Sequence, residues 1–288
     1  MLVDTDYNRR MPTQQSIPPI YLSISVVLYR NDSGQLLQFR DALAQSVGRL
    51  RQKRAVGKIS LSIVDNGFAE DGDRHSRLFT AVPGFDAVRF IQAESNLGYG
   101  RAHNRCLQQD CDFHLFLNPD VYLKEDALVA GMDYLQAHPH VGMVTPYAEN
   151  AGGKPLFLSK RYPSVLDFVL RGFAPGFIRK LFAGRLARYE MQVEYLSGQP
   201  CEHVEIASGC CMLVRSDLLQ KLRGFSEDYF LYFEDFDLSV RMRQFASIAY
   251  VPQMKIIHDG GHAARKGWWH VRQFGASGFR FFKTHGWR

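Results

Sequence analysis

The feature that most constrains the fold is a regular alternation in the first 140 residues. Short apolar runs of strand length keep giving way to longer stretches with helical spacing. Tyr21-Leu-Ser-Ile-Ser-Val-Val-Leu-Tyr29 reads as a buried strand, followed by a helical pattern over 36–50 and a second strand over 59–64. A third strand over 88–92 precedes a helix over 99–109, a fourth strand covers 114–117, and a helix over 125–137 stops before Pro139. Strands that alternate with helices predict an α/β fold, with a largely parallel sheet and helices on both faces. Ligands of such sheets bind at the carboxyl ends of the strands, so the residues there come first.

The first strand ends in Leu28-Tyr29-Arg30, the second in Val64-Asp65-Asn66-Gly67 and the fourth in Leu117-Asn118-Pro119-Asp120. Each offers a carboxylate, an amide or an aromatic ring at one edge. Asp65-Asn66-Gly67 also suits a tight turn, and Asn118-Pro119-Asp120 a helix cap. After the third strand, Asn96-Leu-Gly98-Tyr-Gly100 opens a helix that carries Asn104, and its glycines allow close approach to a phosphate or sugar. The third glycine of G-x-G-x-x-G is missing and no G-x-x-x-x-G-K-[ST] occurs, which disfavours a dinucleotide dehydrogenase and a P-loop enzyme.

Charge is unevenly distributed. The net charge is +6, yet residues 1–259 hold 29 basic and 29 acidic side chains. Residues 260–288 carry six basic side chains and no acid; 151–190 carry eight and two. Two local basic patches on a neutral body argue against a general nucleic-acid surface. The patch over 154–189 is interleaved with aromatics and reads as a helical insertion, either a solvated face or a lid over an acceptor. The tail mixes its basic residues with Trp268, Trp269, Phe274, Phe279 and Trp287, the make-up of a membrane-surface helix or of a packed terminal helix. The polar N-terminus has no secretory pattern, no run approaches about 20 apolar residues, and five cysteines form no Cys-x-x-Cys pair. A cytoplasmic protein, peripheral on the inner face of the membrane, is expected.

In the second half, Gly209-Cys-Cys-Met-Leu213 reads as a buried strand. It is followed by Gly224-Phe225 and Phe230-Leu-Tyr-Phe-Glu234-Asp235-Phe-Asp237-Leu238. Three carboxylates within four positions are costly unless one meets a helix N-terminus, a cation or a reacting proton. An Asp237–Arg241 pair at i,i+4 accounts for one of them. His258 follows a strand-like Lys255-Ile-Ile257.

The order of these motifs over about 21–262 resembles the family-2 inverting glycosyltransferases, most of all their bacterial rhamnosyltransferase branch. The resemblance implies a GT-A domain over 21–262, with a nucleotide-sugar half (21–147) and an acceptor half (148–262), between an N-terminal extension (1–20) and a tail (263–288). It also implies roles. Tyr29 would pack on the nucleotide base and Asp65 would bond the nucleoside, with Asn96, Gly98 and Asn104 in the donor site. Asn118 and Asp120 match the ends of the D-x-D metal motif, with Asn118 replacing the first Asp. Asp120, helped by His258, would hold Mg²⁺ or Mn²⁺ against the donor diphosphate. Asp235 matches the catalytic base and Glu234 a group that orients it or the acceptor. The implied activity is transfer of a sugar, L-rhamnose from dTDP-L-rhamnose, to a bacterial surface glycan or glycolipid such as lipopolysaccharide core or O-antigen. The alternative is a non-catalytic sugar-nucleotide or glycan-binding subunit with the same fold. The sequence leaves the oligomeric state open.

Overall fold

The computed structural model describes residues 19–67, 69–172, 174–259 and 267–287. The expectations for 1–18, for the domain end at 260–262 and for the start of the tail at 263–266 lie outside the described residues.

The alternation expected from the sequence is present. β1 (Ile20–Leu28), α1 (Ser33–Lys53), β2 (Val56–Asp65), α2 (Ala69–Leu78), β3 (Ala87–Gln92), α3 (Tyr99–Asn104) and β4 (Phe113–Leu117) follow in order. α1 begins where the Asp32 carboxylate accepts hydrogen bonds from the Gly34 and Gln35 amides. It buries Leu36, Phe39, Leu43, Val47 and Leu50, one stripe at helical spacing. α3 is shorter than the expected 99–109. Past Asn104 the chain tightens into i→i+3 bonds, Cys106 N–H to the His103 carbonyl and Leu107 N–H to that of Asn104.

β5 (Val121–Leu123), α4 (Ala127–Ala137) and β6 (Val141–Glu149) come next, then the short β7 (Pro155–Leu156) and β8 (Ser159–Lys160). After β7 and β8, which occupy the start of the expected insertion, the rest of it is largely helical, in α5 (Val165–Gly172), α6 (Gly176–Leu181) and α7 (Ala183–Tyr189), and α8 (Gln192–Leu196) follows it. β9 (Ile206–Ala207), β10 (Cys211–Arg215), α9 (Ser216–Leu222), α10 (Glu234–Met242), β11 (Ser247–His258) and α11 (Trp268–His285) complete the chain. α2, β5 and β6 were not legible in the sequence.

The main sheet runs β3-β2-β1-β4-β10-β6-β11-β5, with β7 beside β6. β1, β2, β3 and β4 are mutually parallel, as are β6 and β11, whereas β10 is antiparallel to both β4 and β6. β10, from the expected acceptor half, is inserted between β4 and β6, which begin in the expected nucleotide-sugar half, and its register (Cys211 opposite Leu117) sets residues 209–210 beside the end of β4. One face packs against α1 and α4 through Phe39, Leu43, Leu128 and Met132; the other against α3, α9 and α10 through Tyr99, Leu219 and Leu238. A smaller aromatic cluster, with Phe233, Phe281 and Phe282, ties α11 to the start of α10.

α11 settles how the tail is arranged: it packs on the domain. Gly278 leaves room for the Phe233 ring, whose atoms lie 3.1 Å from where a Cβ would stand, and His285 bonds Asp237 at 2.8 Å. Its outer face still exposes Trp268 and Phe279.

Candidate functional site

At the carboxyl edge of β1, β2 and β3 lies a cavity of about 390 Å³ lined by Tyr29, Asn66, Gly67, Gln92, Glu94 and Asn96. Tyr29 is half exposed, with the Arg30 guanidinium 5.3 Å from its ring centroid. The Asn66 side-chain amide donates to the Gly98 carbonyl at 2.9 Å, and Asn96 Oδ1 accepts from the Gly98 amide at 2.9 Å, which holds the glycine loop as one wall.

Two expected donor contacts are engaged elsewhere. Asp65 is fully buried, with one carboxylate oxygen bonded to the Gly67 amide at 2.7 Å and the other to His75 at 2.9 Å. Its place at the cavity is taken by Asn66, its neighbour. Asn104 accepts from the Phe225 amide and donates to the Phe225 carbonyl, both at 2.9 Å, which makes it a tie between the two halves of the chain. Neither His75 nor Phe225 could be matched to its partner from local spacing.

The glycine motif has a packing reason. At φ +82°, Gly98 sits where a Cβ would lie 2.1 Å from the Phe230 carbonyl oxygen, and the Tyr99 amide bonds that same oxygen at 3.2 Å. A Cβ on Gly100 would meet Phe225 at 2.8 Å. The loop at the start of α3 is thereby locked against the segment that leads into α10.

The loop after β4 carries Asn118 and Asp120. Asn118 Oδ1 and Asp120 Oδ1 are buried without a hydrogen-bond partner, a costly arrangement unless a cation or donor group completes it. Asp120 Oδ2 lies 3.5 Å from His258 Nε2 at the end of β11. The structure thus brings together the two expected metal ligands. Among the described residues no cluster of three or more His, Cys, Asp or Glu that could hold a metal ion occurs.

Asn118 N–H bonds the Cys210 carbonyl at 2.9 Å, and one residue earlier Gly209 N–H donates to Asp235 Oδ2 at 2.9 Å. Through these two bonds the start of β10 sets the Asp235 carboxylate close to the Asp120 loop. Burial pushes the pKa of the Cys210 thiol up to about 12, and the charges of Asp120 and Asp235 act in the same direction.

Asp235 stands in the first turn of α10, and its other oxygen accepts from the Phe236 amide at 3.0 Å. Burial holds its pKa above the usual carboxylate range, while the bonds from the Gly209 and Phe236 amides and the charge of Lys160 oppose the rise. Glu234 is 5% exposed, with Oε2 unpartnered, and burial together with the Asp235 charge drives its pKa well up. Ahead of them Tyr232 (φ +70°) and Phe233 (φ +67°) are consecutive left-handed residues, a strain of about 1–3 kcal/mol each that surrounding contacts must hold. α11 supplies those contacts. His270 bonds the Tyr232 hydroxyl at 2.9 Å, Ser277 donates to the Leu231 carbonyl at 2.8 Å, and Phe274 and Phe281 pack on Phe233. The expected Asp237–Arg241 pair is present at 2.7 Å.

Lys160 and Tyr99 were not singled out in the sequence. Tyr99 donates to the Gly209 carbonyl at 2.5 Å, beside Asp235. Lys160, whose pKa burial lowers to about 8, donates to the Phe157 carbonyl at 2.5 Å and lies in the field of Asp235.

A mostly parallel sheet flanked by helices in this arrangement is shared with solved glycosyltransferases of the GT-A fold. The Pyrobaculum calidifontis mannosyltransferase PcManGT, solved with GDP-Man and Mn²⁺, shares the fold with a TM-score of 0.59 at 16% identity, over 91% of this chain and 65% of that one. No family model matches the chain. In sequence it is 29% identical over 224 residues to N-acetylglucosaminyl-diphospho-decaprenol L-rhamnosyltransferase of Mycobacterium tuberculosis, which spans 71% of this chain and 68% of the relative. It is 26% identical over 185 residues to rhamnosyltransferase WbbL of Escherichia coli, spanning 62% of this chain and 66% of that protein. The chain is a glycosyltransferase of the GT-A fold, similar to bacterial rhamnosyltransferases.

Proposed function

We propose that this glycosyltransferase is metal-dependent and inverting, and that it moves L-rhamnose from dTDP-L-rhamnose to a hydroxyl of a lipid-linked bacterial surface glycan at the inner face of the membrane. The observation that carries the reading is that the Asp120 loop, with its unpartnered buried oxygens and His258, and Asp235 at the start of α10 are tied to adjacent residues of one segment, the first through the bond from Asn118 N–H to the Cys210 carbonyl and the second through the bond from Gly209 N–H. The rhamnosyl donor and the lipid-linked acceptor follow the named relatives.

Asp120 and His258 would hold the Mg²⁺ or Mn²⁺, with Asn118 beside them. An unpartnered, buried carboxylate oxygen and an imidazole suit such an ion, whose shell the donor phosphates and water would complete. The ion supplies charge neutralisation on the departing diphosphate. Tyr29 stacks on the base, and Asn66, Gln92 and Asn96 face the nucleoside across the cavity. Asp235, held by the Gly209 and Phe236 amides, takes the proton from the acceptor hydroxyl as the hydroxyl oxygen bonds the anomeric carbon and the bond to the diphosphate breaks. A single displacement of this kind inverts the configuration. Glu234, buried behind it, orients Asp235 or the acceptor.

No described helix is long and apolar enough to cross a membrane. Contact with an anionic membrane would instead use the outer face of α11, where Trp268, Val271 and Phe279 are exposed among Arg272, Arg280 and Lys283.

The test is transfer from a panel of nucleotide sugars to a lipid-linked acceptor, with Mg²⁺ or Mn²⁺ and then with EDTA. dTDP-L-rhamnose should be the best donor, EDTA should stop turnover, and Asp235→Asn should lower kcat by about 10²–10⁴. A D235N variant as fast as the native protein refutes the base assignment, and undiminished activity in EDTA refutes the metal.

A further inference from the structure

Next to the acceptor side lies a second cavity, of about 560 Å³, walled by the basic insertion. Arg161, Arg185, Arg188 and Tyr189 line it together with Asp167 and Glu205. Two of the arginines are held in place: Arg185 bonds Asp167 at 2.7 Å and Arg161 bonds Glu194 at 2.5 Å. Among the described residues no carboxylate pairs with Arg188. Arg161 Nε and the Tyr189 hydroxyl are buried without a partner, and Tyr189 itself is 3% exposed. Arg188 without a carboxylate partner, an unpartnered Arg161 Nε and a free phenol make a site short of acceptor oxygens, because Asp167, Glu194 and Glu205 are already engaged by protein donors.

The cavity lies on the side of the insertion that packs on the start of α10: the Phe168 ring lies 6.3 Å from that of Tyr189 and 5.2 and 6.0 Å from those of Phe233 and Phe236, which flank Glu234 and Asp235. Tyr189 forms part of the cavity wall, and Lys160 and Arg171 lie 6.0 and 5.8 Å from the centroid of the Tyr189 ring. Lys160 and Tyr189 both lie in the field of Asp235. On the other side of the sequence, α6 leads directly into the α7 arginines and exposes Phe177 (74%) and Leu181 (81%). An occupant thus meets guanidinium groups and a phenol, with an apolar surface nearby and the start of α10 one aromatic ring away. Guanidinium forks match phosphate oxygens in pairs, and a group with several anionic oxygens fits three forks better than a single carboxylate does.

Resting on the glycosyltransferase reading above, we propose that this cavity, through Arg161, Arg185, Arg188 and the Tyr189 hydroxyl, binds the diphosphate that joins the acceptor sugar to its lipid. The grip sets the sugar toward Asp235 and selects diphosphate-linked acceptors over neutral glycosides. It also gives the charge of the insertion a purpose apart from the membrane-facing side of α11.

Two measurements test this, one of them independent of catalysis. In the first, inorganic pyrophosphate is titrated calorimetrically in EDTA. The native protein should bind it, Arg188→Glu should weaken binding at least tenfold (about 1.4 kcal/mol), and Tyr189→Phe should weaken it by a smaller factor. In the second, transfer to a short-chain prenyl-diphosphate sugar is compared with transfer to the alkyl glycoside of the same sugar. The ratio of the two kcat/KM values should fall about tenfold in Arg188→Glu. Loss of pyrophosphate binding in a protein that transfers no rhamnose at all would support the cavity while removing the donor reading. Absence of pyrophosphate binding to the native protein, or an unchanged acceptor ratio in Arg188→Glu, overturns the proposal. It is equally overturned if Arg188→Glu lowers only sedimentation with phosphatidylglycerol vesicles, because the cavity would then read lipid headgroups.

Discussion

Replacing Phe281 by alanine should destabilise the protein and lower its turnover together. Phe281 is fully buried on α11, with its ring 5.5 Å from that of Phe233 and 5.8 Å from that of Phe236, the residues that bracket Glu234 and Asp235. Tyr162, Phe282 and His285 complete its surroundings at 5.1–5.5 Å. Removing a buried phenylalanine costs about 3–5 kcal/mol, and five aromatic neighbours losing a partner place this site in the upper part of that range. With an unfolding entropy of about 2.1 cal/mol/K per residue, the 288-residue chain should melt about 5–8 °C lower. Phe279→Ser on the exposed face of the same helix should change stability by no more than about 0.5 kcal/mol. Calorimetry of both variants gives the comparison, and kcat measured well below the melting transition gives the second readout. Because Phe281 supports the strained turn at Tyr232 and Phe233, kcat should fall in Phe281→Ala even where the protein is fully folded. A melting temperature within about 2 °C of the native value would show that α11 is not docked as described and that the strained turn is held by something else.

Burial raises the carboxyl pKa of Glu234, so the folded state binds more protons there than the unfolded chain does. Stability should therefore fall as pH rises from the ordinary carboxylate range toward the raised folded value. Glu234→Gln should flatten that fall, and denaturant melts from pH 5 to 9 that keep the native slope would contradict the assignment. Gly98→Ala forces a Cβ to 2.1 Å from the Phe230 carbonyl oxygen at a positive φ. It should cost more than about 2 kcal/mol by chemical denaturation and reduce activity by parting the glycine loop from the turn before α10. Trp268→Ser combined with Phe279→Ser should weaken sedimentation with anionic vesicles several-fold at unchanged melting temperature. Equal sedimentation would leave the outer face of α11 without its proposed role.

How much of the site was legible follows from how far each partner lies along the chain. Asp235 and Glu234 stood out because three carboxylates crowd a helix start. Asp120 and Asn118 stood out because they follow an apolar strand in an alternating pattern. Asp65 was legible as a carboxylate at a strand end, but its closure by His75 depends on how α2 lies against the sheet. Asn104 belonged to a recognisable motif, yet both its bonds go to Phe225, 121 residues away. Lys160 had no local signal at all, since its place near Asp235 arises from the pairing of β8 with β9.

By itself, then, the sequence determined the alternation of strands and helices and the identity of the polar and acidic residues at the strand ends. These depend on periodicity and on the residues at strand ends, both of which are local. Only the tertiary structure decided that β10 is inserted between β4 and β6, that the tail packs on the turn before α10, and that the basic insertion walls a cavity with Arg161, Arg185 and Arg188. Those outcomes come from contacts between segments far apart in the chain, where strand register and side-chain packing choose among arrangements that local pattern leaves equally open.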